Sequence, residues 1–109
     1  GLGDVYKRQC DDLPNGLDLC VFDFGVNAGT GRSAKYLQKM IGTTVDGGIG
    51  PNTLIAVYNY VEEVGLEGTI EEFQKRRQSY YEKLSTFETF GRGWTRRVEE
   101  TTDTALEMI

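Results

Sequence analysis

With 109 residues the chain has room for one domain. A net charge of −5 and a pI near 4.7 argue against nucleic acid or an anionic membrane surface as a partner held by bulk electrostatics. Histidine is absent, which excludes a His-ligated metal or a Ser-His triad within the chain, and no run reaches the roughly 20 apolar residues of a membrane span.

Residues 1–9, GLGDVYKRQ, differ in character from the rest. Asp4 to Gln9 back-translate into the mosaic-end adapter of transposon-based sequencing libraries, so 1–9 read as an adapter-derived or disordered segment to be left out of fold reasoning. A natural flexible N-terminus is the alternative. On the adapter reading the chain is the C-terminal part of something longer, and a missing start would hide any signal peptide; none is visible. Residues 10–16 form a polar entry, with Asp11 and Asp12 placed where carboxylates favour a helix N-terminus.

The most apolar run follows, with apolar side chains at 17, 19, 20, 21, 22, 24 and 26 and only Asp18, Asp23 and Asn27 as polar side chains before Gly29. A segment apolar nearly all round is buried centrally. Pro14 favours a helix start and Gly29 with Gly31 a stop, so a buried central helix is expected. Asp23 and Asn27, four apart, share a face. They read either as a structural network or as one wall of a sugar-binding cleft, since an unsatisfied buried polar group costs about 1–3 kcal/mol. Of the cysteines, Cys10 and Cys20 make no disulfide framework.

A helix over 32–41, with Ala34, Leu37 and Ile41 on one face, ends at Gly42. Thr43 to Thr53 read as a tight, Gly-rich, hairpin-like loop with Ile49 turned inward, and Pro51 opens the next helix. Leu54, Val57, Tyr58 and Val61 give that helix its apolar stripe before Gly65 ends it. An Asp-Gly-rich loop raises calcium, but EF-hand spacing is absent. Thr69 to Glu72 read as a capping box, opening a helix that carries Ile70, Phe73, Arg77, Tyr80, Tyr81 and Leu84. Ser85 to Glu88 repeat the pattern before a short turn broken by Gly91-Arg92-Gly93, and the last helix is expected to run from Trp94 to Ile109.

Two constellations carry chemistry besides Asp23 with Asn27. Arg92, Trp94, Arg96 and Arg97 can stack on a sugar and grip a carboxylate, or serve as a core tryptophan flanked by solvated charges. Glycoside hydrolysis needs positioned carboxyl groups, one of them kept protonated by an apolar setting. The glutamates here fall at solvated positions such as Glu62, Glu63, Glu71, Glu72, Glu99 and Glu100, which speaks against a complete active site.

Three blocks, 17–38, 44–53 and 85–97, occur in one order and together resemble the second half of glycoside hydrolase family 108, phage and prophage N-acetylmuramidases often labelled secretion activators. The first block also resembles the core helix of lambdoid-phage lysozymes. The middle block resembles the Asp-Gly-x-x-Gly-Pro-x-Thr loop of peptidoglycan-binding modules, and the region after Gly31 is similar to the family's predicted peptidoglycan domain. The resemblance implies an all-α, lysozyme-like helical domain truncated at its N-terminus. Residues 10–30 would be the end of the catalytic region and 31–109 a peptidoglycan-binding lobe. It implies a cleft faced by Asp23 and Asn27, no cofactor, and peptidoglycan glycan strands as partner; Arg92 and Trp94 are further candidate substrate contacts on their residue types. The parent would stay in the host cytoplasm until lysis or export and then act at the wall. The family's catalytic glutamate lies in an N-terminal Glu-Gly-Gly-like motif that nothing here matches, so no catalytic residue is assigned. A free-standing wall-binding module and a secretion-linked scaffold are the alternatives. Loss of upstream sequence would uncover Val21 and Phe22 on the central helix and favour self-association.

Overall fold

The computed structural model describes residues 2–109, which form α1 (Leu2–Asp11), α2 (Leu17–Ala28), α3 (Thr30–Ile41), α4 (Pro51–Val64), α5 (Leu66–Glu82) and α6 (Phe87–Glu107). Among the described residues there is no strand, and the fold is all-α as expected. The central helix is α2: it packs against α1, α3, α5 and α6, and Leu17, Cys20, Val21 and Phe24 are wholly enclosed. An element apolar on nearly every side gains most by being surrounded, at about 25 cal/mol for each Å² removed from water. Phe24 anchors an aromatic cluster, meeting Tyr36, Phe73, Tyr80 and Tyr81 edge to face at 5.5, 6.1, 5.6 and 5.9 Å.

Gly16 precedes α2 with φ +89°, and a Cβ there would lie 2.7 Å from the Ala105 carbonyl oxygen, so only glycine lets α6 approach. Gly29, at φ +114°, is the sole residue between α2 and α3. Gly31, expected to share in the stop, lies in the first turn of α3 instead.

The loop after Gly42 was expected to be hairpin-like; it is a turn without paired strands, folded around the side chain of Gln38. The Gln38 Nε2 lies 2.9 Å from Asp46 Oδ1, 2.9 Å from the Gly48 carbonyl and 3.1 Å from the Thr53 hydroxyl, while its Oε1 accepts from the amides of Asp46 (3.0 Å) and Gly47 (2.9 Å). Ile49 is buried and Pro51 opens α4, both as the loop chemistry predicts.

Two expected boundaries are corrected. The capping box at Thr69 does not form: α5 begins three residues earlier, Leu66 packs on the core, and the Thr69 hydroxyl donates back to the Gly65 carbonyl at 2.7 Å. Gly91-Arg92-Gly93 does not interrupt α6, which runs unbroken from Phe87, with Thr86 before it making no side-chain cap. The Phe87 ring lies over Gly91, where a Cβ would come within 2.5 Å of it. That packing offsets the roughly 1 kcal/mol that a glycine costs inside a helix.

Residues 2–9, expected to stand outside the fold, form most of α1; Gly1 lies outside the described residues. Tyr6 and Cys10, one helical turn apart, both reach α2. The Tyr6 hydroxyl donates to the Val21 carbonyl (3.2 Å), its ring stacks on Phe22 at 6.2 Å, and it fills the space beside Gly25. The α2 face expected to be bare is therefore covered: Val21 is enclosed and Phe22 half-buried. Cys10 and Cys20 are free and buried, and burial pushes both thiols up to about 12, which keeps them protonated and unreactive.

Candidate functional site

Asp23 sits on α2 and is buried, its carboxylate shared by two arginines from different helices. Arg77 of α5, wholly enclosed, donates from Nη2 at 2.6 Å. Arg97 of α6, largely exposed, donates from Nε at 3.1 and 3.2 Å and also from Nη2. The Thr101 hydroxyl donates to the Arg97 carbonyl at 2.6 Å and lies 3.4 Å from Asp23 Oδ2. Burial pushes the Asp23 carboxyl up. The hydrogen bonds from Arg97 and Arg77, and then their charges, outweigh this and hold it below the usual carboxylate range.

A carboxylate held in this way stays ionised at neutral pH and has no proton to donate. With its lone pairs committed to two guanidinium groups it is also a weak base. Its chemistry is positional: it ties α2 to α5 and α6. A recess of about 240 Å³ opens beside it, lined by Leu19, Asp23, Arg97, Glu100, Thr101 and Thr104.

The Asn27 side chain is exposed and, among the described residues, makes no hydrogen bond to the Asp23 carboxylate. Arg92 and Trp94, two positions apart on α6, face ways about 200° apart around the helix. Trp94 is half-buried, stacked on Tyr81 (5.2 Å, 23°) and tilted against Phe90 (5.7 Å). Arg92 is exposed in a separate groove with Phe87, Arg96 and Glu99. The four sequence-derived residues are thus not brought to one point; Asp23 connects to Trp94 through Arg77, whose Nε donates to the Tyr81 hydroxyl at 3.2 Å, and then Tyr81.

The residue that sequence reasoning missed is Arg77. It falls in register with Ile70, Phe73 and Tyr81, all buried, so a charge lies on the core face of α5. Asp23 is likewise a charge on an apolar helix, and two such stranded opposite charges pair. That was the available signal.

Among the described residues no glutamate is buried, and no three His, Cys, Asp or Glu side chains gather into a metal site. Nor is any helix there long and apolar enough to cross a membrane.

The family model described as the Predicted Peptidoglycan domain matches residues 32–99, from α3 well into α6. A solved structure of Brucella abortus SagA is similar, with 38% identity and a TM-score of 0.84. The alignment takes in 94% of this chain and 58% of that one, so the chain spans little more than half the length of that relative. Among curated proteins none matches. With more than half of its length matched by the family model, the chain belongs to the predicted peptidoglycan domain family.

Proposed function

We propose that the chain is the wall-binding C-terminal part of a phage-type endolysin, an N-acetylmuramidase of the glycoside hydrolase family 108 kind, and that it contributes no catalytic glutamate of its own. The observation that carries this reading is the family match over residues 32–99. The likeness to a chain of greater length supports it as well. In this reading residues 10–30 close the catalytic region and 31–109 form the wall-binding lobe, with α2 serving both. The Asp23–Arg97 recess is where glycan would approach. The parent cleaves between N-acetylmuramic acid and N-acetylglucosamine, waits in the host cytoplasm until lysis or export, and then acts at the wall.

A non-catalytic wall-binding module is the second reading, favoured by the absence of a buried glutamate among the described residues. Both readings predict co-sedimentation of the purified chain with isolated sacculi and no release of reducing sugar. A chain that stays in the supernatant overturns both. Reading the source DNA upstream of Cys10 separates them: an in-frame glutamate motif followed by a Gly-rich segment supports the muramidase, and a start codon just before Cys10 the module.

A further inference from the structure

A groove of about 210 Å³ runs between α3 and α5, lined by Tyr36, Lys39, Arg76, Ser79, Tyr80 and Lys83. A recess of about 310 Å³ adjoins it, sharing Tyr36 and Lys39 and adding Arg32 and Lys35. Five of the twelve Lys and Arg residues therefore gather along one furrow of a chain whose net charge is −5. No acidic residue lines either part. Glu72 pairs with Arg76 at 3.3 Å, and the carboxylate of Asp46 is taken up by Gln38 and the Gly48 amide. Among the described residues, Lys35, Lys39 and Lys83 make no ion pair.

The furrow is also aromatic. Tyr36 and Tyr80 meet edge to face at 5.8 Å, both half-buried, and the Arg32 guanidinium lies 4.8 Å over the Tyr80 ring. Arg32, which also donates to the Ala28 carbonyl at 2.6 Å, covers one face of Tyr80, so the part-exposed Tyr36 is the ring left for a sugar, and the unpaired lysines beside it suit carboxylates. At physiological salt a charge is screened beyond about 8 Å. The local cations, not the acidic surface elsewhere, thus set what approaches the furrow. All of its lining residues except Gly31 fall within the family match.

We infer that the α3–α5 furrow binds the carboxylate-bearing saccharide–peptide units of peptidoglycan, with sugars on Tyr36 and carboxylates on Lys35, Lys39 and Lys83. This rests on the reading of the chain as a wall-binding module and adds a second wall-binding surface, apart from the Asp23–Arg97 recess.

The test uses the full chain and sacculi stripped of phosphate polymers by hydrofluoric acid. Lys39→Glu with Lys83→Glu, both at exposed positions, should weaken co-sedimentation about tenfold or more, about 1.4 kcal/mol. Arg8→Glu with Lys75→Glu changes the net charge equally at exposed positions outside the furrow and should stay within about twofold of wild type. Capping the sacculus carboxylates by carbodiimide amidation should weaken wild-type binding as the furrow variant does. Thermal unfolding of both variants checks that folding is unchanged. Equal binding by the two variants, or undiminished binding to amidated sacculi, overturns the furrow while leaving the wall-binding reading intact. Binding only to walls that retain phosphate polymers overturns the ligand class. A wild-type chain that binds no wall preparation overturns both.

Discussion

Two buried polar centres hold this molecule together by different means. Around Asp23, opposite charges come from helices 54 and 74 residues away in sequence, and one of them, Arg77, is wholly enclosed. Around Gln38, a neutral amide meets partners only 8 to 15 residues ahead, and both of its ends are bonded. The first closes the core over long distances and leaves one Arg77 nitrogen, Nη1, buried without a partner. The second moulds a loop and leaves no atom of its own side chain unpaired. A charged centre of this kind is costly to open because a lone buried ion has nowhere to go. A neutral amide holding an exposed loop can let water in.

The largest expected effect follows from that contrast. Asp23→Ala leaves the enclosed Arg77 guanidinium without a counter-ion, and breaking a buried pair by removing one partner costs about 3–5 kcal/mol. Urea unfolding followed by circular dichroism measures it. A loss below about 1 kcal/mol, the range of an exposed pair, would make the two centres equivalent and end the comparison.

Deleting residues 1–9 touches neither centre and comes next. It removes Tyr6, whose burial is worth about 1.5–3 kcal/mol for a side chain of this size, and bares Phe22 and Val21. The expected outcome is a lower unfolding midpoint together with concentration-dependent self-association, read by sedimentation velocity. A truncated chain that remains monomeric and as stable as before would mean that α1 adds little to the α2 face it covers.

Gln38→Leu is expected to cost less, about 1–2 kcal/mol, because the orphaned amides of Asp46 and Gly47 border solvent and regain water. Amide hydrogen exchange should quicken at those two residues and not along α2. Exchange that quickens throughout would show that the loop and the core open as one unit.

Local chemistry in this chain is legible in a way that distant pairing is not. The Gly42 cap, the inward Ile49 and Pro51 at the start of α4 all follow from neighbouring residues, and the buried central helix follows from a run with no polar stripe. Boundaries that depend on tertiary contacts are not legible locally: Thr69 has the pattern of a cap, but Leu66 joins the helix by packing on the core. Gly91 has the pattern of a break, but Phe87 packs over it and the helix runs on. Asp23 was visible as a charge on an apolar helix, while its partners 54 and 74 residues on were not, since nothing local to Asp23 selects Arg77 over other arginines. Arg92 and Trp94 were grouped by closeness in sequence, but two positions along a helix put side chains on nearly opposite faces.

The smallest effect belongs to the exposed half of the charged centre. Arg97 is largely solvated, so Arg97→Gln should cost no more than about 1 kcal/mol near pH 7. It should carry a pH signature that Gln38→Leu lacks. Arg97 helps hold the Asp23 carboxyl below its unfolded value, so its contribution is fully present above about pH 3.9 and is lost as pH falls from there through the lowered folded value. The gap in urea midpoint between wild type and Arg97→Gln should therefore narrow on acidification. The amides orphaned by Gln38→Leu do not titrate, so the part of the deficit that comes from them should persist. A gap for Arg97→Gln that stays constant down to pH 3 would mean that Arg77 alone sets the charge state of Asp23, and that the arginine at the recess is free to meet a ligand instead.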